Sequence, residues 1–174
     1  MNTQSDDFSV SGLREIDEAL STLPEKMQRN VMRAALRAGA KEIAQQAKQD
    51  APKKTGKLAD SVRVSSRIRY GMPEATVKAG GKVKGKNIWY AVIVEKGAVP
   101  HEIAVRKGTM SLFINGKPAG KSVQHPGFSA RPFMRPAMNA KAKDAVGQTA
   151  EFIRDRLKTK FGIDIADPEP EDKE

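Results

Sequence analysis

Two periods divide the apolar positions of this chain: three to four residues near its ends, and two in its middle. Leu13, Ile16, Leu20 and Leu23 fall at spacings of three, four and three behind Ser11, a capping residue, which predicts a short amphipathic helix. Thr22, with Glu25 three residues on and Pro24 tolerated in the first turn, is a capping-box signature that opens a long helix to about Gln49. Its apolar stripe is Met32, Leu36, Ala40, Ile43 and Ala47. Ala34, Ala35, Ala38 and Gly39 are small, so another element can come close. Ordinary core packing is preferred there to an oligomer contact. A final helix is predicted from about Arg135 to Lys160, with Pro136 in its first turn and Gly162 as its stop. Its stripe would be Met138, Ala142, Val146, Thr149, Phe152 or Ile153, and Leu157.

Between these helices the pattern shortens. Ala51-Pro52 ends the long helix, and Thr55-Gly56 marks a turn. From Leu58 to Tyr70, Val62, Val64, Ile68 and Tyr70 share one parity and Arg63, Arg67 and Arg69 the other, which predicts a half-exposed strand with an arginine face. A turn at Gly71 to Pro73 leads to its partner, "EATVKAG". Residues 80–87, "GGKVKGKN", read as a flexible basic loop. The longest apolar run follows within "IWYAVIVEKG", Ile88 to Gly97, which holds the only tryptophan. Its β-branched Val92, Ile93 and Val94 predict a central strand covered on both faces. "HEIAVR" and "MSLFI" read as strands and Asn115-Gly116 as a hairpin turn, with Pro118 and Gly120 placing this part at an edge or in an arm. The fold class expected is α+β: a mostly antiparallel sheet flanked by a long N-terminal helix and a C-terminal helix, with a protruding hairpin arm. The expected organisation is a disordered stretch 1–9, one domain over 10–163 with its arm at about 98–131, and a disordered acidic tail, 164–174.

Charge sharpens this picture. The net charge is +10, but residues 1–25 and 164–174 each carry six acids against one base, so the body between them holds +20. Such a body attracts polyanions, nucleic acid or an acidic protein surface, unless it serves only as a solvated face. With 174 residues one domain is expected. The chain has no cysteine, which excludes disulfides and thiolate metal sites and fits a reducing compartment. The polar, acidic start lacks the pattern of a signal peptide, and no apolar run reaches the ~20 residues of a membrane span.

Tests for chemistry return little. Gly80, Gly85 and Lys86 satisfy the G-x-x-x-x-G-K spacing of a phosphate loop. Asn87 stands where a magnesium-binding Ser or Thr is needed, however, and the segment runs into a strand rather than a helix. A basic hairpin loop is the better account, with Lys82, Lys84 and Lys86 free to meet phosphates or an acidic partner. His101 and His125 lack a well-spaced third metal ligand. No nucleophile elbow or paired carboxylates appear, so no enzyme, cofactor or metal is expected. Aromatics interleaved with basic residues are too few for sequence-specific nucleic-acid recognition, which leaves non-specific contact open.

The order of "SGL", the alanine-rich helix with "AKQDAP", "TGKLADSV", "YAVIVEKG", "PHEI", "HPG" and "RPFMRPA" resembles the tail-component family of long-tailed bacteriophages (siphophage gene-product-ten-like). These are neck or tail-completion proteins encoded between the head-connector genes and the tail-tube gene. The resemblance runs from about Val10 to Phe161. Its most specific pieces are Ala51-Pro52 with Thr55-Gly56-Lys57-Leu58, Tyr90-Ala91 with Glu95 and Gly97, and Pro132-Phe133 with Pro136-Ala137. Ala98 departs from the usual threonine. The resemblance implies a non-catalytic ring subunit at the head–tail joint of the virion, made in the host cytoplasm. Its implied partners are head-connector, tail-terminator or tail-tube proteins, with no membrane and non-specific contact with phage DNA left open. Expected contact residues are Lys82, Lys84, Lys86, Phe113, Asn115, Lys117, His125, Phe128, Arg131 and Phe133, with core anchoring the rival reading for Phe128 and Phe133. Rival functions are a tail-terminator or head-closure protein of the same neck, a non-specific DNA-binding protein, and a nucleotide-dependent factor using Gly80 to Lys86.

Overall fold

A computed structural model describes residues 12–83, 85–105 and 110–165, without the side chain of Lys86. The proposed disordered N-terminus, the tail from residue 166 on and Ser11 lie outside the described residues.

Helix α1 (Leu13–Ser21) buries Ile16 and Leu20 and leads into α2 (Glu25–Asp50). The capping box does not form. The Thr22 hydroxyl donates to the Ala19 carbonyl at 2.7 Å, closing α1, and Pro24 is the N-cap of α2 with no side-chain hydrogen bond. The N-cap position falls to Pro24, which has no side-chain acceptor, so Thr22 stands outside the helix it was expected to cap.

Two long helices form the frame, α2 and α5 (Met134–Phe161). Their buried faces are Val31, Ala35, Gly39, Ala44 and Ala47 on α2, and Ala137, Ala145, Ala150, Ile153 and Leu157 on α5. Both differ by about one position from the expected stripes over much of their length. Met138 is 58% exposed and Ala142 is exposed, whereas Ile153 and Leu157 are buried as expected. The reason is close approach. A Cβ on Gly39 would lie 2.2 Å from both the Ala145 carbonyl oxygen and Thr149 Oγ1, so the facing positions must be small rather than most apolar. The expectation of core packing at Ala35 and Gly39 holds. At the far end, left-handed Gly162 closes α5 and Ile163 folds back to the Leu157 carbonyl.

A short helix, α3 (Lys57–Ser61), occupies what reads as the start of the arginine-faced strand; β1 itself is Arg63–Arg69. It pairs with β2 (Met72–Lys78) in antiparallel register, Arg63 opposite Lys78 and Arg69 opposite Met72, and the ribbon lies on α2. The basic segment is the hairpin its failed phosphate-loop match pointed to, with two short paired strands, β3 (Gly81–Val83) and β4 (Lys86–Ile88), where a flexible loop was expected.

The expected central strand is absent. After β4 the chain enters α4 (Ala91–Lys96), so the longest apolar run is mostly helical. Seven apolar residues suit either period. The burial decides: Ile88 and Ala91 are buried, Val94 is half-buried, and Trp89 and Val92 are exposed, a spacing of three rather than alternation. Gly97, at φ 74°, ends this helix where a Cβ would meet Ala130 N at 2.7 Å.

Among the described residues four two-stranded antiparallel ribbons therefore replace one sheet: β1–β2, β3–β4, and, beyond α4, β5 (His101–Ala104) with β8 (Ser122–His125) and β6 (Phe113–Ile114) with β7 (Lys117–Pro118). The class, mixed helices with antiparallel strands between two long helices, is as expected. The core has two clusters. One gathers Ala47, Leu58, Val62, Ile88, Ala91 and Phe133, and the other joins Ile16 and Leu20 to Val31, Ala35, Ile153 and Leu157. Ile163 and Ile165 pack against the second.

Candidate interaction surface

Beyond Gly97 the chain leaves the two core clusters and returns as a ladder. Ala98 and Phe128 exchange backbone hydrogen bonds at 3.0 and 2.9 Å, and β5 then pairs with β8, His101 opposite His125. The ladder continues through Val105 N–H to the Lys121 carbonyl and Leu112 N–H to the Gly120 carbonyl, and ends in the β6–β7 turn. Asn115 (φ 51°) and Gly116 (φ 78°) form that turn, with both central residues left-handed as a two-residue hairpin loop demands. This segment is the expected arm; residues 106–109 within it lie outside the described residues.

The arm is apolar and uncovered. Val99 is 78% exposed, Met110 89% and Phe113 69%, and Ile103 and Ile114 are exposed as well. Exposed apolar residues scattered singly are ordinary, but these share one segment of a lean chain. A two-stranded ribbon also leaves one row of backbone donors and acceptors unpaired on each strand. At its base the arm is stiffened by the His101 and His125 rings, stacked with centroids 5.0 Å apart. His101 Nδ1 lies 2.8 Å from the Val99 carbonyl, and His125 Nδ1 accepts the Gly127 N–H at 3.0 Å.

Beside the base lies a groove of about 670 Å³. It is lined by Pro52, Lys54 and Leu58, by Tyr90 and Val94 at α4, and by Phe128, Ser129 and Arg131 of the returning segment. That segment is held by Arg131 N–H donating to the Val94 carbonyl at 2.8 Å. Three residues of backbone then converge on one side chain. The Glu95 carboxylate accepts N–H bonds from Phe133 (2.8 Å), Met134 (3.0 Å) and Arg135 (3.1 Å), the first turn of α5. Partial burial works to raise the Glu95 pKa. The Met134, Phe133 and Arg135 amides, helped by the Arg135 charge, outweigh it and hold the value below the ordinary one.

The predicted contact residues separate into groups. Phe113, Asn115 and Lys117 are exposed at the arm's far hairpin, and His125 is half-buried at its base. Phe128 and Arg131 line the groove. Lys82 is exposed on β3, Lys84 lies outside the described residues, and Lys86 falls within β4 with its side chain outside the description. Phe133 is fully buried in the first core cluster, so its ring is an anchor and presents no surface. Glu95, which enters the sequence analysis only as a piece of the family resemblance, proves to be the helix cap. Its partners lie 38 to 40 residues away, and the one signal for it was a carboxylate beside a strongly apolar segment. Among the described residues no cluster of three His, Asp or Glu stands close enough to hold a metal, and no helix is long and apolar enough to cross a membrane.

This framework of small-residue helix packing, ribbons and an α4 that ends at Gly97 can be set beside known families. The model described as "Bacteriophage HK97-gp10, putative tail-component" matches residues 14–97. Over that segment, just under half of the chain, the protein is similar to the HK97-gp10-like tail-component family. The match spans α1 to the end of α4, while the arm and α5 lie beyond it. The likeness is to proteins described as phage tail components. No curated protein and no solved structure matches the chain.

Proposed function

We propose that this protein is a non-catalytic subunit of the head–tail joint, a tail-completion or neck component that forms or joins a ring in the virion. The observation that carries the reading is the arm. From Ala98 to Phe128 it presents Val99, Met110, Phe113 and Ile114 to solvent and buries none of them against its own helices. An isolated domain gains little from such a segment. A neighbouring protomer or neck protein can cover its apolar side chains and pair its free strand edges, and a head-to-tail contact of that kind closes into a ring when its rotation permits.

In this reading one folded domain, residues 10–163, supplies the frame, with Phe113, Asn115 and Lys117 at the tip and His125, Phe128 and Arg131 at the base of the contact surface. Neighbours are head-connector, tail-terminator or tail-tube proteins. A tail-terminator or head-closure role in the same neck uses the same arm and differs in the neighbour it meets.

Electron microscopy of particles assembled without this protein tests the proposal. Filled heads and separate tails are expected. Normal, joined phage would refute it.

A further inference from the structure

The solvent face of α2 carries a charge pattern that neither the arm nor the lysine hairpin uses. Lys26, Arg33, Arg37, Lys41 and Lys48 are all exposed and recur at spacings of seven, four, four and seven. At about 100° per residue they fall within an arc of about 80°, and from first to last they extend about 33 Å along the helix axis. Asn30, also exposed, falls within the same arc.

The acids of α2 are all elsewhere. Glu25 pairs with Arg29 at 3.2 Å, Glu42 is half-buried where it acts on Lys141 of α5, and Asp50 accepts from Gln46 at 2.9 Å. None of the five stripe cations forms an ion pair with a described residue. An ordinary solvated helix mixes signs at spacings of three and four, because like charges there repel. Arg33, Arg37 and Lys41 on successive turns, with no counter-charge among the described residues, repel one another, a cost that a bound anion would offset.

We infer that this stripe is a contact face for the phosphate backbone of duplex DNA. Its length is close to one turn of B-form duplex, about 34 Å. The two central arginines can each grip a phosphate with a planar fork, and the lysines toward the ends act as mobile point charges. The stripe has no aromatic residue, so the contact reads charge and not sequence. The site differs from the Lys82–Lys86 hairpin, where sequence alone places such contact. It does not depend on the head–tail reading, and the two fail separately: one is tested on purified protein and the other on particles.

The test is binding of the full chain to a 20-base-pair duplex by fluorescence anisotropy across a salt series. The triple variant R33Q/R37Q/K41Q, whose side chains are exposed and form no ion pair with a described residue, should stay folded by circular dichroism. Its log-affinity against log-salt slope should fall in magnitude by about 2.7, with binding at least about ten-fold weaker at 100 mM salt. A K82Q/K117Q control should change the slope by less. Equal slopes for wild type and triple variant, no wild-type binding at 50 mM salt, or displacement of the duplex by polyglutamate at equal charge would each overturn the assignment.

Discussion

The carboxylate of Glu95 lies 2.8 Å from the backbone nitrogen of Phe133, 38 residues further along the chain. This contact fastens the end of α4 to the start of α5 around the arm that leaves and returns between them. A helix that begins at Met134 exposes unpaired N–H groups, and its N-cap residue, Phe133, has no side chain able to accept them. Glu95 does so from a distant element, with its negative charge at the positive end of the α5 dipole. The cap is thus also the clasp that closes the base of the arm.

Glu95→Ala should therefore destabilise the protein by about 1–2 kcal/mol, the range for losing a helix N-cap. Chemical denaturation of the purified chain would measure it. Glu95→Gln, which keeps one acceptor oxygen without the charge, should lose less. Equal stability of wild type and Glu95→Ala would show that the clasp contributes nothing.

The same contact sets a pH dependence. The folded-state pKa of Glu95 is held below its ordinary value of 4.5, so the carboxylate's contribution is fully present above that value. It is lost as pH falls through the depressed folded value. The stability gap between wild type and Glu95→Gln should stay flat from about pH 7 to pH 5 and close in more acid solution. A gap that widened with acid would reverse the sign of this reading.

Gly39→Ala tests the α2–α5 contact. The added methyl meets the Ala145 carbonyl oxygen and Thr149 Oγ1 at 2.2 Å, and the backbone oxygen cannot rotate away. Forcing the helices apart should cost about 1–3 kcal/mol, as overpacking of a tight core does. Adding Thr149→Ala should restore only part of the loss, since it relieves one of the two clashes. Full recovery in the double variant would place the strain on the hydroxyl alone.

Two phenylalanines separate core from surface. Phe133→Ala removes a fully buried ring and should cost about 3–5 kcal/mol. Phe113→Ala, at the exposed tip of the arm, should change stability by no more than about 0.5 kcal/mol. If the arm joins subunits, Phe113→Ala should instead lower the yield of joined particles when it replaces the wild-type protein during phage assembly. Unaltered assembly with Phe113→Ala would remove the tip from the contact.

Much of the fold is legible in the chain because it follows from local chemistry. Helical spacing marks α1, α2 and α5; Ala51-Pro52 and Gly162 mark their ends; Asn115-Gly116 marks the arm's turn; and parity marks β1 with its partner β2. The uneven charge, with acidic ends around a strongly basic body, is likewise a property of sequence alone. Tertiary structure decided what local chemistry leaves degenerate. The apolar run around Val92 satisfies both periods, and its packing between β4 and Phe133 selected the helix. The buried faces of α2 and α5 turned toward alanine and glycine because close approach rewards small side chains over more hydrophobic ones. Glu95 became a cap only when folding brought the start of α5 to it, a pairing that no spacing along the chain encodes.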